Sequence, residues 1–104
     1  MNLAVGGERR PRIAFPDLGG RIRIRAATHA PPGKRAWVVD VDVSATRTVL
    51  AFVEKCVGDF EAFALPLPSG EIVAARFHGE VSMSRLSAGA WKVAPFRVVE
   101  AVGE

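Results

Sequence analysis

The segment from Phe60 to Val99, FEAFALPLPSGEIVAARFHGEVSMSRLSAGAWKVAPFRVV, most constrains what this chain folds into. Its apolar residues come in short runs cut by Pro66, Pro68, Gly70, Gly79, Gly89 and Pro95. Phe60 to Leu65 reads as extended. Pro66 and Pro68 have no N–H to give a ladder, so the Leu65–Pro68 part belongs on an edge or in a loop. Ser69-Gly70 turns the chain. Glu71 to Phe77 is an expected strand, His78-Gly79 a kink or turn, and Glu80 to Arg85 a further strand. After Ser87-Ala88-Gly89 a last strand is expected from Trp91 to Val102. Its apolar phase shifts near Pro95 or at Val98-Val99, which predicts a bulge or bend there.

The front half supplies the partners. Arg21-Ile22-Arg23-Ile24-Arg25 alternates strictly, so a strand places both isoleucines on one face and the three arginines on the other. Ala30-Pro31-Pro32-Gly33-Lys34 is a loop. Ala36 to Val43 reads as a second strand, with Trp37, Val39, Val41 and Val43 on one face and Val38, Asp40 and Asp42 on the other. If these two strands pair, the aspartates face the arginines. Ser44 is the expected N-cap of a helix from Ala45 to Val57. Val49, Phe52, Val53, Cys56 and Val57 form its apolar stripe, and Gly58 stands where a left-handed terminal residue belongs.

The chain has 104 residues, 49% hydrophobic and 24% charged, which suits one folded domain. Residues 1–11 are expected to be a flexible basic leader, and 12–104 the single domain. The fold class expected is α+β: an antiparallel β-sandwich or open barrel of about six strands with one α-helix packed across it. A lone cysteine excludes an internal disulfide, and no stretch approaches a membrane span. A soluble product of a reducing cytoplasm is the default.

Catalytic chemistry finds little footing. His29 and His78 have no cysteine or carboxylate at ligand spacing, so no metal is expected. Cys56 falls on the apolar stripe of the helix, the ordinary place of an inert thiol. Asp40 and Asp42 read as a solvated strand face. No Gly-x-Ser-x-Gly elbow, Walker loop or dinucleotide glycine pattern is present, and no cofactor is expected. The chain is read as a non-enzyme.

Binding has more. The net charge is +3, and the excess gathers at Arg9, Arg10, Arg12, Arg21, Arg23 and Arg25. Such a front is either a solvated edge strand or a surface for an acidic protein partner. Nucleic acid is disfavoured because the excess is modest. Trp37, Phe63, Phe77, Trp91 and Phe96 are expected by default in the core; a base-stacking platform is the alternative. Phe63 and Leu65, beside the prolines, are with Leu67 the candidate interface residues: an edge or loop position would expose them, and an exposed apolar patch marks a protein interface.

The order of these elements carries a resemblance. A strand bearing Trp37, the Ser44–Val57 helix, Phe60 and Phe63 before Leu65-Pro66-Leu67-Pro68, then Arg76-Phe77, and finally Gly89 with Trp91 and Val93 resemble small minor tail proteins of siphophages and prophages. The likeness extends loosely to the lambda minor tail protein M family. It covers Ile22 to Val99, and its motifs describe packing and turns. The resemblance implies a structural virion protein near the distal tip of the tail, made in the host cytoplasm. It implies a homo-oligomeric ring joining the tail tube protein to hub or tip proteins. The alternative is a small basic β-barrel that binds nucleic acid.

Overall fold

A computed structural model describes residues 11, 13–55, 61–87 and 89–101. Eight strands, two short 3-10 turns and one helix follow in chain order. They are β1 (Ile13–Ala14), a 3-10 turn (Gly19–Arg21), β2 (Ile22–Ala26), β3 (Ala36–Val41), a second 3-10 turn (Val43–Ala45) and α1 (Thr46–Lys55). After these come β4 (Phe63–Pro66), β5 (Ile72–His78), β6 (Met83–Ser87), β7 (Ala90–Val93) and β8 (Phe96–Glu100). Six strands form one curled sheet in the order β1-β4-β5-β8-β3-β2, and β6 and β7 form a small separate hairpin sheet. The fold is α+β and mostly strand, as expected.

The pairings are antiparallel except one. β1 runs parallel to β4, with Ile13 opposite Phe63 and Ala14 opposite Ala64. Two strands and a helix separate them along the chain, enough for the crossover that a parallel pair needs.

Strand alternation then fills one face of the sheet. Phe63 and Leu65 of β4, Val73, Ala75 and Phe77 of β5, Phe96 and Val98 of β8, and Trp37, Val39 and Val41 of β3 are all buried. The cross-strand registers Leu65↔Val73, Phe77↔Val98 and Trp37↔Val98 put them on the same side. Helix α1 closes over this face with Val49 and Phe52, as its stripe predicts. Five phenylalanines pack ring against ring at its centre. Phe63 lies 4.9 Å from Phe77 and 5.3 Å from Phe52, and Phe15 lies 5.1 Å from Phe52. Phe96 completes the set 5.5 Å from Phe77. Tilted and edge-on contacts of this kind add to the area that the rings bury.

Four expectations need correction. Phe63 and Leu65 are not an exposed pair: each is 0% exposed. At Phe63, β4 lies between β1 and β5, so this stretch is interior and its odd-numbered side chains point into the core. Ser44 is not the helix cap. Asp42 Oδ1 accepts from the Ser44 amide at 2.9 Å and from its hydroxyl at 3.0 Å. That turn pulls Val43–Ala45 into a 3-10 conformation, and the helix begins at Thr46. Val43 leaves the strand phase there and is 45% exposed. Last, the single strand expected from Trp91 to Val102 is two strands in two sheets, divided at Ala94-Pro95. The predicted break falls at Pro95, but it redirects the chain between sheets. Cys56, Val57 and Gly58 lie outside the described residues.

The small hairpin is tied to the body by a buried polar contact. The Val93 amide donates to Thr46 Oγ1 at 3.3 Å, and both residues are buried. Thr46→Val keeps the shape but leaves that amide without an acceptor, an expected loss of about 1–3 kcal/mol. Urea unfolding checks this, and Thr46→Ser, which keeps the oxygen, is expected to lose less.

Candidate protein interface

The residues singled out from the sequence separate into three groups. Arg9, Arg10 and Arg12 lie outside the described residues. Phe63 and Leu65 are in the core, and Leu67 is half-buried against it. Arg21, Arg23 and Arg25 are exposed. The register Arg23↔Asp40 and Arg25↔Val38 sets the β2 arginines on the outer face, opposite to buried Trp37.

That outer face holds a shallow groove of about 290 Å³ between β2, the end of β3 and Lys92. Its carboxylates are already engaged. Lys92 Nζ lies 3.2 Å from Asp40 Oδ1, an ion pair without hydrogen-bond alignment. Asp42 caps the Val43–Ala45 turn; the hydrogen bonds from the Ser44 amide and then its hydroxyl hold its carboxyl below the usual range. His29 and His78 are both exposed, and among the described residues no three metal-ligating side chains converge. Among the described residues, no helix is long and apolar enough to cross a membrane.

The surface that does stand out is the β6–β7 hairpin. Every residue of β6 is exposed. Met83 is 42%, Leu86 56% and Trp91 44% exposed. Arg85 is stacked on Trp91, its guanidinium carbon 5.7 Å from the ring centroid. Three large apolar side chains on one two-stranded arm form the kind of patch that partners cover. Val93, opposite Met83, is 0% exposed and roots the arm in the core. The sequence expectation placed Trp91 inside. The available signal was β6 itself, since Met83-Ser84-Arg85-Leu86-Ser87 lacks the alternation of a strand with a buried face.

A second feature escaped the sequence reading. Arg35 makes forked hydrogen bonds to two carboxylates. Nη2 donates to Glu100 Oε2 at 2.8 Å and to Glu71 Oε2 at 2.9 Å, while Nε and Nη1 donate to their other oxygens at 3.2 Å. The guanidinium also lies 5.3 Å from the Trp37 ring centroid. Arg35, Glu71 and Glu100 share the strand parity of the core residues Trp37, Val73 and Val98. Each stands at a strand end, so together they close one end of the core and join β3, β5 and β8. A charge in phase with an apolar face, at the end of each of three strands, was the legible sign.

This cluster is acid-sensitive. The hydrogen bonds from Arg35 hold both the Glu71 and the Glu100 carboxyl below their ordinary value. A depressed carboxyl stabilises the fold above its unfolded pKa of about 4.3, and that contribution is lost as pH falls through the folded value. Arg35 and Glu71 are half-exposed and Glu100 less so, so solvent screens the cluster. Melting temperature measured from about pH 7 to pH 2 is therefore expected to fall more steeply for the natural chain than for Glu71→Gln/Glu100→Gln. The two curves are expected to converge at the acid end.

Comparison with protein-family models, curated proteins and solved structures found no match to this chain.

Proposed function

We propose that this chain is a structural subunit of a bacteriophage tail that works by binding its neighbours. In this reading copies form a ring near the tail tip and join the tail tube protein to hub proteins. The observation that carries a binding role is the β6–β7 arm, with Met83, Leu86 and Trp91 exposed on a rooted hairpin. The tail assignment rests on the layout from Ile22 to Val99 and on its resemblance to small minor tail proteins. A ring contact sets one patch against a different patch on the next copy, and an arm on one side of a compact body suits that geometry.

The nucleic-acid reading has less support. It asks for aromatic rings exposed beside the basic strand. Trp37 is buried on the face opposite Arg23 and Arg25, and five phenylalanines are in the core; Trp91 is exposed, but it lies on the hairpin arm and not on the basic strand. The test is the mass of the full chain in solution, alone and with tube and hub proteins of a candidate phage, together with its detection in purified virions. Rings or mixed complexes and presence in virions are expected. A monomer that ignores those proteins and is absent from virions would sink the proposal.

A further inference from the structure

Strand β2 ends the strand order, so one edge pairs with β3 and, among the described residues, no strand pairs with the other. The hydrogen-bond phase decides what that edge offers. Arg21 O accepts from the Asp42 amide at 2.7 Å, and the Ala27 amide donates to Ala36 O at 2.9 Å. Odd-numbered residues therefore turn their backbone groups into the sheet. Ile22, Ile24 and Ala26 turn their N–H and C=O groups outward. Such a row of unpaired groups is a template for another strand.

The side chains beside this template are sorted by face. Ile22 and Ile24 are half-buried against the core on the inner side. Arg21, Arg23 and Arg25 are exposed on the outer side and, among the described residues, form no ion pair. Their natural counter-charges are taken, Asp40 by Lys92 and Asp42 by its turn. Arg97 of β8 extends the basic row, since Arg25 and Arg97 both lie opposite Val38. A second copy of β2 is a poor occupant, because pairing would set arginine against arginine.

We propose that the free edge of β2 binds an extended segment of another protein by strand addition, a segment in which acidic and apolar residues alternate. Its acids lie beside Arg21, Arg23 and Arg25, and its apolar residues lie beside Ile22 and Ile24. Main-chain hydrogen bonds supply affinity and the alternation supplies specificity. This edge adjoins the root of the β6–β7 arm, since Lys92 of β7 lines the same groove as Arg21 and Arg23, but the apolar residues Met83, Leu86 and Trp91 take no part in it. The inference holds whatever assembly the protein joins. A nucleic acid would use the arginines but neither the outward amides nor the isoleucines.

The test uses the full chain and a fluorescent peptide of about ten residues alternating Glu and Val, long enough to span β2. Anisotropy is expected to show binding that weakens by about tenfold or more with Arg23→Glu/Arg25→Glu. Block and Lys-Val comparison peptides of the same length are expected to bind far more weakly. N-methylation discriminates further. Methylating the valine amides abolishes antiparallel addition, and methylating the glutamate amides abolishes parallel addition, so one set is expected to be essential and the other dispensable. Binding that survives both methylations is charge attraction alone and overturns the proposal. So does no binding, or tighter binding of a single-stranded oligonucleotide than of the alternating peptide.

Discussion

Phe63→Ala is expected to lower the free energy of unfolding by about 3–5 kcal/mol, the cost of removing a fully buried ring. A domain is held by about 5–15 kcal/mol in total, so the variant should be partly unfolded at room temperature or close to it. Phe63 is 0% exposed and touches Phe15, Phe52 and Phe77, with centroids 5.9, 5.3 and 4.9 Å away. Little around it can collapse into the space, because β4 is held there between β1 and β5. Urea unfolding measures the loss, and Phe63→Leu, which keeps much of the volume, is expected to lose less. The same measurement separates core from surface. Were Phe63 an exposed interface residue beside the prolines, its truncation would change stability by no more than about 0.5 kcal/mol.

The opposite pattern is expected for the hairpin arm. Leu86→Ser/Trp91→Ser should leave the urea midpoint nearly unchanged, since both side chains are about half exposed in the free chain. Association with neighbouring subunits should fall by about 30-fold or more, the loss that follows when an apolar anchor worth about 2 kcal/mol is removed from an interface. Tryptophan is the residue most often found as such an anchor. Arg85→Ala is expected to have a smaller effect, because it removes only the cation stacked on the ring. Sedimentation at matched concentrations reads both variants. Unchanged association of the double variant would move the contact off the arm.

Local pattern reached far into the fold. The alternation at Ile22–Arg25 and at Trp37–Val41 specified two strands and their inward faces, and Val49 and Phe52 specified the buried side of the helix. Turn chemistry was legible as well. Leu67-Pro68-Ser69-Gly70 closes with a bond from the Gly70 amide to Leu67 O at 2.9 Å, and Gly70 takes φ 98°. Proline at the second position and glycine at the fourth suit such a turn. Of the residues named as candidate interface, only Arg21, Arg23 and Arg25 lie exposed among those described, and Leu67 is half-buried.

The remainder was decided by contacts distant in sequence. Prolines near Leu65 marked an edge correctly at Pro66, which extends past the two residues that β1 covers. Nothing local says that Ile13 and Ala14 return to cover Phe63 and Ala64, and that pairing makes the difference between a surface patch and a core. Trp91 carries the reverse lesson. Its own strand has an apolar neighbour in Val93, but the pairing of β7 with β6 leaves the outer part of the arm uncovered. The cluster of Arg35, Glu71 and Glu100 joins residues up to 65 positions apart. Adjacent residues thus specified most of the elements and several of their inward faces and turns, because these follow from local chemistry. Only the tertiary structure decided which strands are neighbours. That choice sets which apolar side chains lose contact with water and which remain to meet a partner.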